Sequence, residues 1–187
     1  MNISQINQYL PLKMKAEMYY QQVQEVFEQV KLSARQKDLT KQNELGFKLN
    51  SLMSSAKDNM QKFADSVMQW YNNGDESMDA LRSAQMGAAV AALFFMKTKD
   101  TPRLTRFAKT SADLAREIMR REDTPNNAIK FVSAATCLLE CTKAEDCLEI
   151  AEYADYLCEE LQRYFPTNEE VNKVVKAYWI QRNGQKA

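Results

Sequence analysis

The sequence predicts an all-α protein, a helical bundle in which a long N-terminal antiparallel helix hairpin is followed by stacked helix hairpins arranged as a short α-solenoid. Three observations lead there. Only four Gly and four Pro among 187 residues leave little turn chemistry. Apolar side chains recur at steps of three and four, the helical period, rather than two. Breaks in that pattern carry a proline, threonine, glycine or acidic residue, the types that start or stop helices.

Pro11 suits a first helical turn, and Tyr19, Val23, Val26 and Val30 follow at helical spacing. The first helix is therefore expected from near Pro11 to Arg35. A second begins near "KDLTKQ" and carries Leu45, Leu49, Leu52, Ala56, Met60, Phe63, Val67 and Trp70, a seam of the kind that packs two long antiparallel helices like a coiled coil. "NNGD" at 72–75 ends it through a glycine stop. A third helix, Ser77 to Lys97, holds an Ala-rich run around Gly87 that permits close helix approach and reads as the buried centre. "KDTPR", "EDTPNN", "CTKAED" and "FPTNEE" then introduce the fourth to seventh helices, the last ending near "RNG". Residues 1–75 form the long hairpin, and 76–187 a helical-hairpin region packed with it as one globular unit.

An internal similarity supports the stacking. Laid over residues 134–167 without a gap, residues 91–124 match Ala91 and Ala92 to Ala134 and Ala135, Phe107 to Ile150, Ala108 to Ala151, Leu114 to Leu157 and Ile118 to Leu161. The shift is forty-three residues. The arrangement resembles tetratricopeptide and other α-solenoid repeats, although the period is longer than a tetratricopeptide unit and the aromatic and glycine signature positions are unmatched.

Twenty-five basic and twenty-five acidic side chains give no net charge, so no global field draws the chain to nucleic acid or an acidic membrane. The longest apolar stretch, Met86 to Met96, is about half a membrane span, and "MNISQINQYL" lacks a secretory signal's basic and apolar regions. The expectation is a cytoplasmic protein without a transmembrane segment, its thiols reduced.

Three of the four cysteines lie in "CLLECTKAEDC", Cys137 to Cys147. Cys137 and Cys141 stand one turn apart on the fifth helix and Cys147 opens the sixth, so three thiols could approach one another. Cys158 lies eleven residues beyond, roughly 16 Å along a continuous helix, and the chain has no histidine to complete a tetrahedral site. Cys147 and Cys158 share the arc of Ile150, Ala151, Ala154, Leu157 and Leu161, so packed thiols are the expectation. A metal or redox sensor at Cys137, Cys141 and Cys147 is the lesser alternative.

Charge is arranged locally. Lys97 to Arg121 holds eight basic and three acidic residues, and Glu140 to Glu160 eight acidic and one basic. The forty-three-residue shift places Arg103, Arg106, Lys109 and Arg116 on Asp146, Glu149, Glu152 and Glu159. These eight are the candidate partner-binding residues, either as stripes side by side in one molecule or as contacts to a partner or second copy. Trp70–Tyr71 and Tyr178–Trp179 are further possible anchors, with core packing the commoner use of such pairs. No histidine, phosphate loop, nucleophile elbow or paired metal motif appears, so neither catalytic residues nor a cofactor are expected. Glu145, Glu149 and Glu152 share a helix face but lack a second helix of ligands. The sequence thus points to a noncatalytic protein-interaction module, an adaptor, chaperone-like or assembly component that binds partners or itself. The alternative is a nucleic-acid-associated accessory subunit using the basic helix around 103–121.

Overall fold

The computed structural model describes residues 6–184, which are all-helical, without a strand. Seven α-helices make up the described chain: α1 (Leu10–Arg35), α2 (Leu39–Asn72), α3 (Met78–Lys97), α4 (Thr101–Arg121), α5 (Pro125–Leu139), α6 (Leu148–Tyr164) and α7 (Glu169–Gly184), with a 3₁₀ turn, Ala144–Cys147, before α6. The chain divides into two compact units, one up to Val67 and one from Met68 onward.

In the first unit the seam expected on α2 is the buried one. Leu45, Ala56, Met60, Phe63 and Val67 are buried, and Leu49 and Leu52 half-buried. On α1, Val23 and Val26 are buried, as is Ala16, a small residue the periodicity did not single out. The turn between α1 and α2 is a Schellman motif. Lys37 adopts φ 57°, its N–H donates to Ala34 O at 3.2 Å, and the Asp38 N–H donates to Ser33 O at 3.1 Å. Asp38 then caps α2, its carboxylate accepting the Lys41 N–H at 3.0 Å. One three-residue turn thus satisfies the exposed carbonyls of one helix and an exposed N–H of the next.

The second unit repeats that device. Lys99 sits at φ 53°, Asp100 N–H reaches Phe95 O at 2.9 Å, and the Asp100 carboxylate accepts from Arg103 N at 3.3 Å. Gly74, at φ 91°, performs the same stop after α2, and the Ser77 hydroxyl caps α3 by accepting from Ala80 N at 3.2 Å. Thr124 caps α5 through Asn127 N, and Asn168 caps α7 through Val171 N.

From α3 onward each helix packs on the next: α3 on α4, α4 on α5, α5 on both α6 and α7, and α6 on α7. Further contacts of α3 with α5 and of α4 with α6 join successive hairpins into a stack. Small residues set the closeness of this packing: Ala84, Gly87, Ala88, Ala91 and Ala92 are buried on α3, and Ala108, Ala112 and Ala115 on α4. Phe95 and Phe107, both fully buried, stack with ring centroids 5.6 Å apart, so truncating either to Ala would cost about 3–5 kcal/mol.

The internal similarity has a structural counterpart. α4 starts at Thr101 and ends at Arg121, while the 3₁₀ turn and α6 together run from Ala144 to Tyr164, forty-three residues later at both ends. Phe107, Ala108, Ser111, Leu114 and Ile118 are buried on α4, and their counterparts Ile150, Ala151, Ala154, Leu157 and Leu161 are buried on α6. The match loosens at the start, where Leu104 is buried but Cys147 is half-buried on a 3₁₀ turn.

α7 is fastened by a polar anchor. The Tyr178 hydroxyl, fully buried, donates toward Ala151 O at 2.8 Å and Asp155 Oδ1 at 2.6 Å, and Arg182 holds the same carboxylate through Nε and Nη2 at 3.0–3.2 Å.

Candidate binding groove

The basic stripe of α4 is largely answered by groups nearby in the same unit. The Arg103 guanidinium lies 5.5 Å from the Phe95 ring centroid and 3.6 Å from the Asp100 carboxylate. Arg106 lies 5.0 Å from the Phe107 centroid, and Lys109 Nζ is 3.1 Å from Asp113 Oδ2. Arg116 Nη1 reaches Glu149 Oε2 at 2.9 Å, a pair that joins the two stripes. Its register differs from the forty-three-residue superposition, because the second half of α4 meets the first turn of α6. Asp146, Glu152 and Glu159 are exposed. With Glu149 86% exposed, the bridge contributes about 0–1 kcal/mol.

The cysteines do not assemble. α5 ends at Leu139, so Cys141 is not one turn above Cys137 on the same helix but lies in the following turn, its thiol donating to Leu138 O at 3.3 Å. Cys147 donates to Lys143 O at 3.4 Å and is half-buried rather than core-facing. Among the described residues, no group of three or more His, Cys, Asp or Glu side chains is placed to hold a metal ion. Burial pushes the Cys137 and Cys158 thiols up to about 12, with Glu140 adding at Cys137 and Asp155 at Cys158. Burial, then Asp146, raises Cys147 as well. Thiols so disfavoured as thiolates are poor nucleophiles and poor ligands at neutral pH. Of the aromatic pairs, Trp70 and Tyr71 are half-buried, and Tyr178 is the anchor of α7 with Trp179 edge-on to it at 5.3 Å.

A groove lies elsewhere in the second unit. Its volume is about 620 Å³, and it runs across one face of α3, α5 and α7. On α3 it is lined by Arg82, Met86, Ala89 and Leu93, and on α5 by Asn126, Lys130, Ser133 and Cys137. Each α5 position follows its α3 partner by forty-four residues. The series continues onto α7 at Glu170 and Val174, so all three helices contribute to the lining. Val90, Ile129 and Ala134 add apolar surface, and Leu93 is 53% exposed. The α3 run expected to be the buried centre therefore has one open edge.

Polar groups frame this surface. Gln85 Nε2 donates to the buried Ser111 hydroxyl at 3.2 Å, tying the floor to α4. At one end Arg82 pairs with Glu122, and Asn127 Nδ2 donates to Glu122 O at 2.8 Å and to its carboxylate at 3.1 Å. Asn127 first, and Arg82 second, hold the Glu122 carboxyl below its ordinary value. Lys130 is exposed on the rim. An apolar floor with an anchored polar border and a single lysine suits the binding of an apolar surface. The sequence signal for it was the open stripe at 82, 86, 89 and 93, masked by the apolar residues on either side.

Comparison with protein-family models, with curated proteins and with solved structures finds no match for this chain. No helix among the described residues is long and apolar enough to cross a membrane.

Proposed function

We propose that this protein is a noncatalytic protein-interaction module of the adaptor or assembly type, and that the groove of α3, α5 and α7 is its docking face. The occupant is a partner's amphipathic helix, its apolar stripe on Met86, Val90, Leu93, Ile129 and Val174, with a carboxylate set against Lys130. One observation carries this reading: lining positions recur at forty-four residues on α3, α5 and α7, so one groove crosses the three helices, with Met86, Val90, Leu93, Ile129 and Val174 as its larger apolar side chains beside the small residues Ala89, Ser133 and Ala134. Such helix-in-groove recognition is read through anchors at i, i+3, i+4 and i+7. The charged stripes are the weaker face, because Arg103, Arg106, Lys109 and Arg116 are engaged by rings and carboxylates of their own unit.

The test is selection from a random peptide library on the wild-type chain. Enriched peptides should carry apolar residues at helical spacing with an acidic residue beside them. They should fail to bind Ala89→Arg, which fills the groove, and still bind a chain with Arg103, Arg106, Lys109 and Arg116 reversed to Glu. Peptides that bind Ala89→Arg normally, or that are lost on charge reversal, would move the docking face to α4.

A further inference from the structure

A second concavity, separate from the groove, lies between the start of α5 and the later half of α6. Its volume is about 200 Å³, and its walls include Asp123, Tyr153, Tyr156, Glu160, Tyr164 and Phe165. Drug-sized ligands occupy roughly 300–1,000 Å³, so this pocket suits a small headgroup or one side-chain tip.

Its chemistry has one sign. Four aromatic rings and two carboxylates line it, and no lysine or arginine does. Aromatic faces are the negative ends of ring quadrupoles, and a cation within about 6 Å of the ring centroid is attracted to them. Tyr156 stacks beside Tyr153, centroids 6.3 Å apart, and Tyr153 in turn rests on the buried Phe131 at 5.1 Å. That chain of contacts fixes one wall from the core outward. Tyr156 is 55% and Tyr164 66% exposed, two large rings open to water within a nine-residue stretch. Glu160 is paired with Arg163 at 3.0 Å, but Asp123, an exposed residue of the lining, makes no ion pair among the described residues.

The helix ends are consistent with this sign. The C-terminus of α6, at Tyr164, presents the negative end of its dipole toward the pocket region. The positive end of α5 is answered by the Thr124 cap and by Asp123 beside it.

We propose that this pocket binds an alkylated ammonium group of the trimethylammonium class, carried by a choline-type small molecule or by a methylated lysine side chain. A bare ammonium is strongly hydrated and would need several acceptors to replace its water. A trimethylammonium has no N–H to satisfy, sheds water readily and is attracted to aromatic rings.

The test is calorimetric titration of the full chain with tetramethylammonium, choline and 3,3-dimethylbutan-1-ol, the uncharged isostere of choline, and with a trimethyllysine peptide beside its unmodified form. The cations should bind, with the neutral isostere at least roughly tenfold weaker. Tyr156→Ala and Tyr164→Ala should each weaken binding roughly tenfold, whereas Tyr156→Phe, which keeps the ring face, should retain it. Asp123→Asn should weaken it by a few-fold, with reduced salt dependence. Stronger binding of the trimethyllysine peptide than of choline assigns the ligand to a protein tail, and the reverse order assigns it to a free small molecule. Equal binding of choline and its neutral isostere, binding unaffected by both Tyr→Ala variants, or no saturable response to any cation at about 10 mM overturns the proposal. Thermal unfolding by circular dichroism verifies that each variant is folded, and Ala89→Arg should leave cation binding unchanged, so failure here and failure of the groove are separable.

Discussion

Two lysines, Lys37 and Lys99, occupy the left-handed backbone region where glycine is the usual residue. An L-residue there costs roughly 1–2 kcal/mol, and a glycine substituted for it gives back part of the gain through its freer unfolded chain, about 0.4–1 kcal/mol. Lys99→Gly should therefore stabilise the second unit by about 0.5–1 kcal/mol in urea unfolding, while Gly74→Ala should destabilise it by a similar amount. The "KD" pairs were legible as helix starts because Asp is a strong cap. Their use as left-handed stops was not, because nothing in lysine's chemistry signals it. The thiols offer a second check at this scale. Cys158 is fully buried and, with Cys137, pushed up to about 12, so both should resist iodoacetamide at neutral pH until the chain is unfolded, as read by mass spectrometry. Prompt native labelling of Cys158 would contradict the packing described for α6.

The helices themselves were the most readable features, because their signals are local. The caps at Ser77, Asp100 and Thr124 fall at the expected breaks, and the α2 seam is buried or half-buried along its length. What failed was the assignment of faces on α3 and around Cys147. α3 is so rich in apolar and small residues that only Arg82 and Gln85 mark its open edge, and Cys147 lies on a 3₁₀ turn that rotates it out of the α-helical arc. The tether of α7 was also invisible, since Tyr178, Asp155 and Arg182 are joined across two helices rather than along one. Tyr178→Phe removes the hydroxyl from both Asp155 and Ala151 and should cost about 1–2 kcal/mol, measured by denaturant unfolding. Asp155→Ala should cost at least as much, because it also strands the Arg182 guanidinium.

At the scale of the whole molecule, zero net charge conceals two opposed stripes. The forty-three-residue similarity was legible because α4 and α6 bury equivalent faces. The groove follows a forty-four-residue spacing on α3, α5 and α7, so a single ungapped superposition misses it by one position. Pairing of charges across helices was equally out of reach: Arg116 meets Glu149, not the Glu159 that sequence equivalence supplies. Of the eight residues named from charge, only Arg116 and Glu149 join successive hairpins, while Asp146, Glu152 and Glu159 stand exposed. The most direct measurement is the affinity of a library-selected helical peptide for the wild-type chain and for Ala89→Arg, by fluorescence anisotropy at moderate salt. A loss of at least roughly a hundredfold in the folded variant is expected if the groove is the docking face. Equal affinities would mean that partners bind elsewhere and that the apolar strip of α3, α5 and α7 is not the site of recognition.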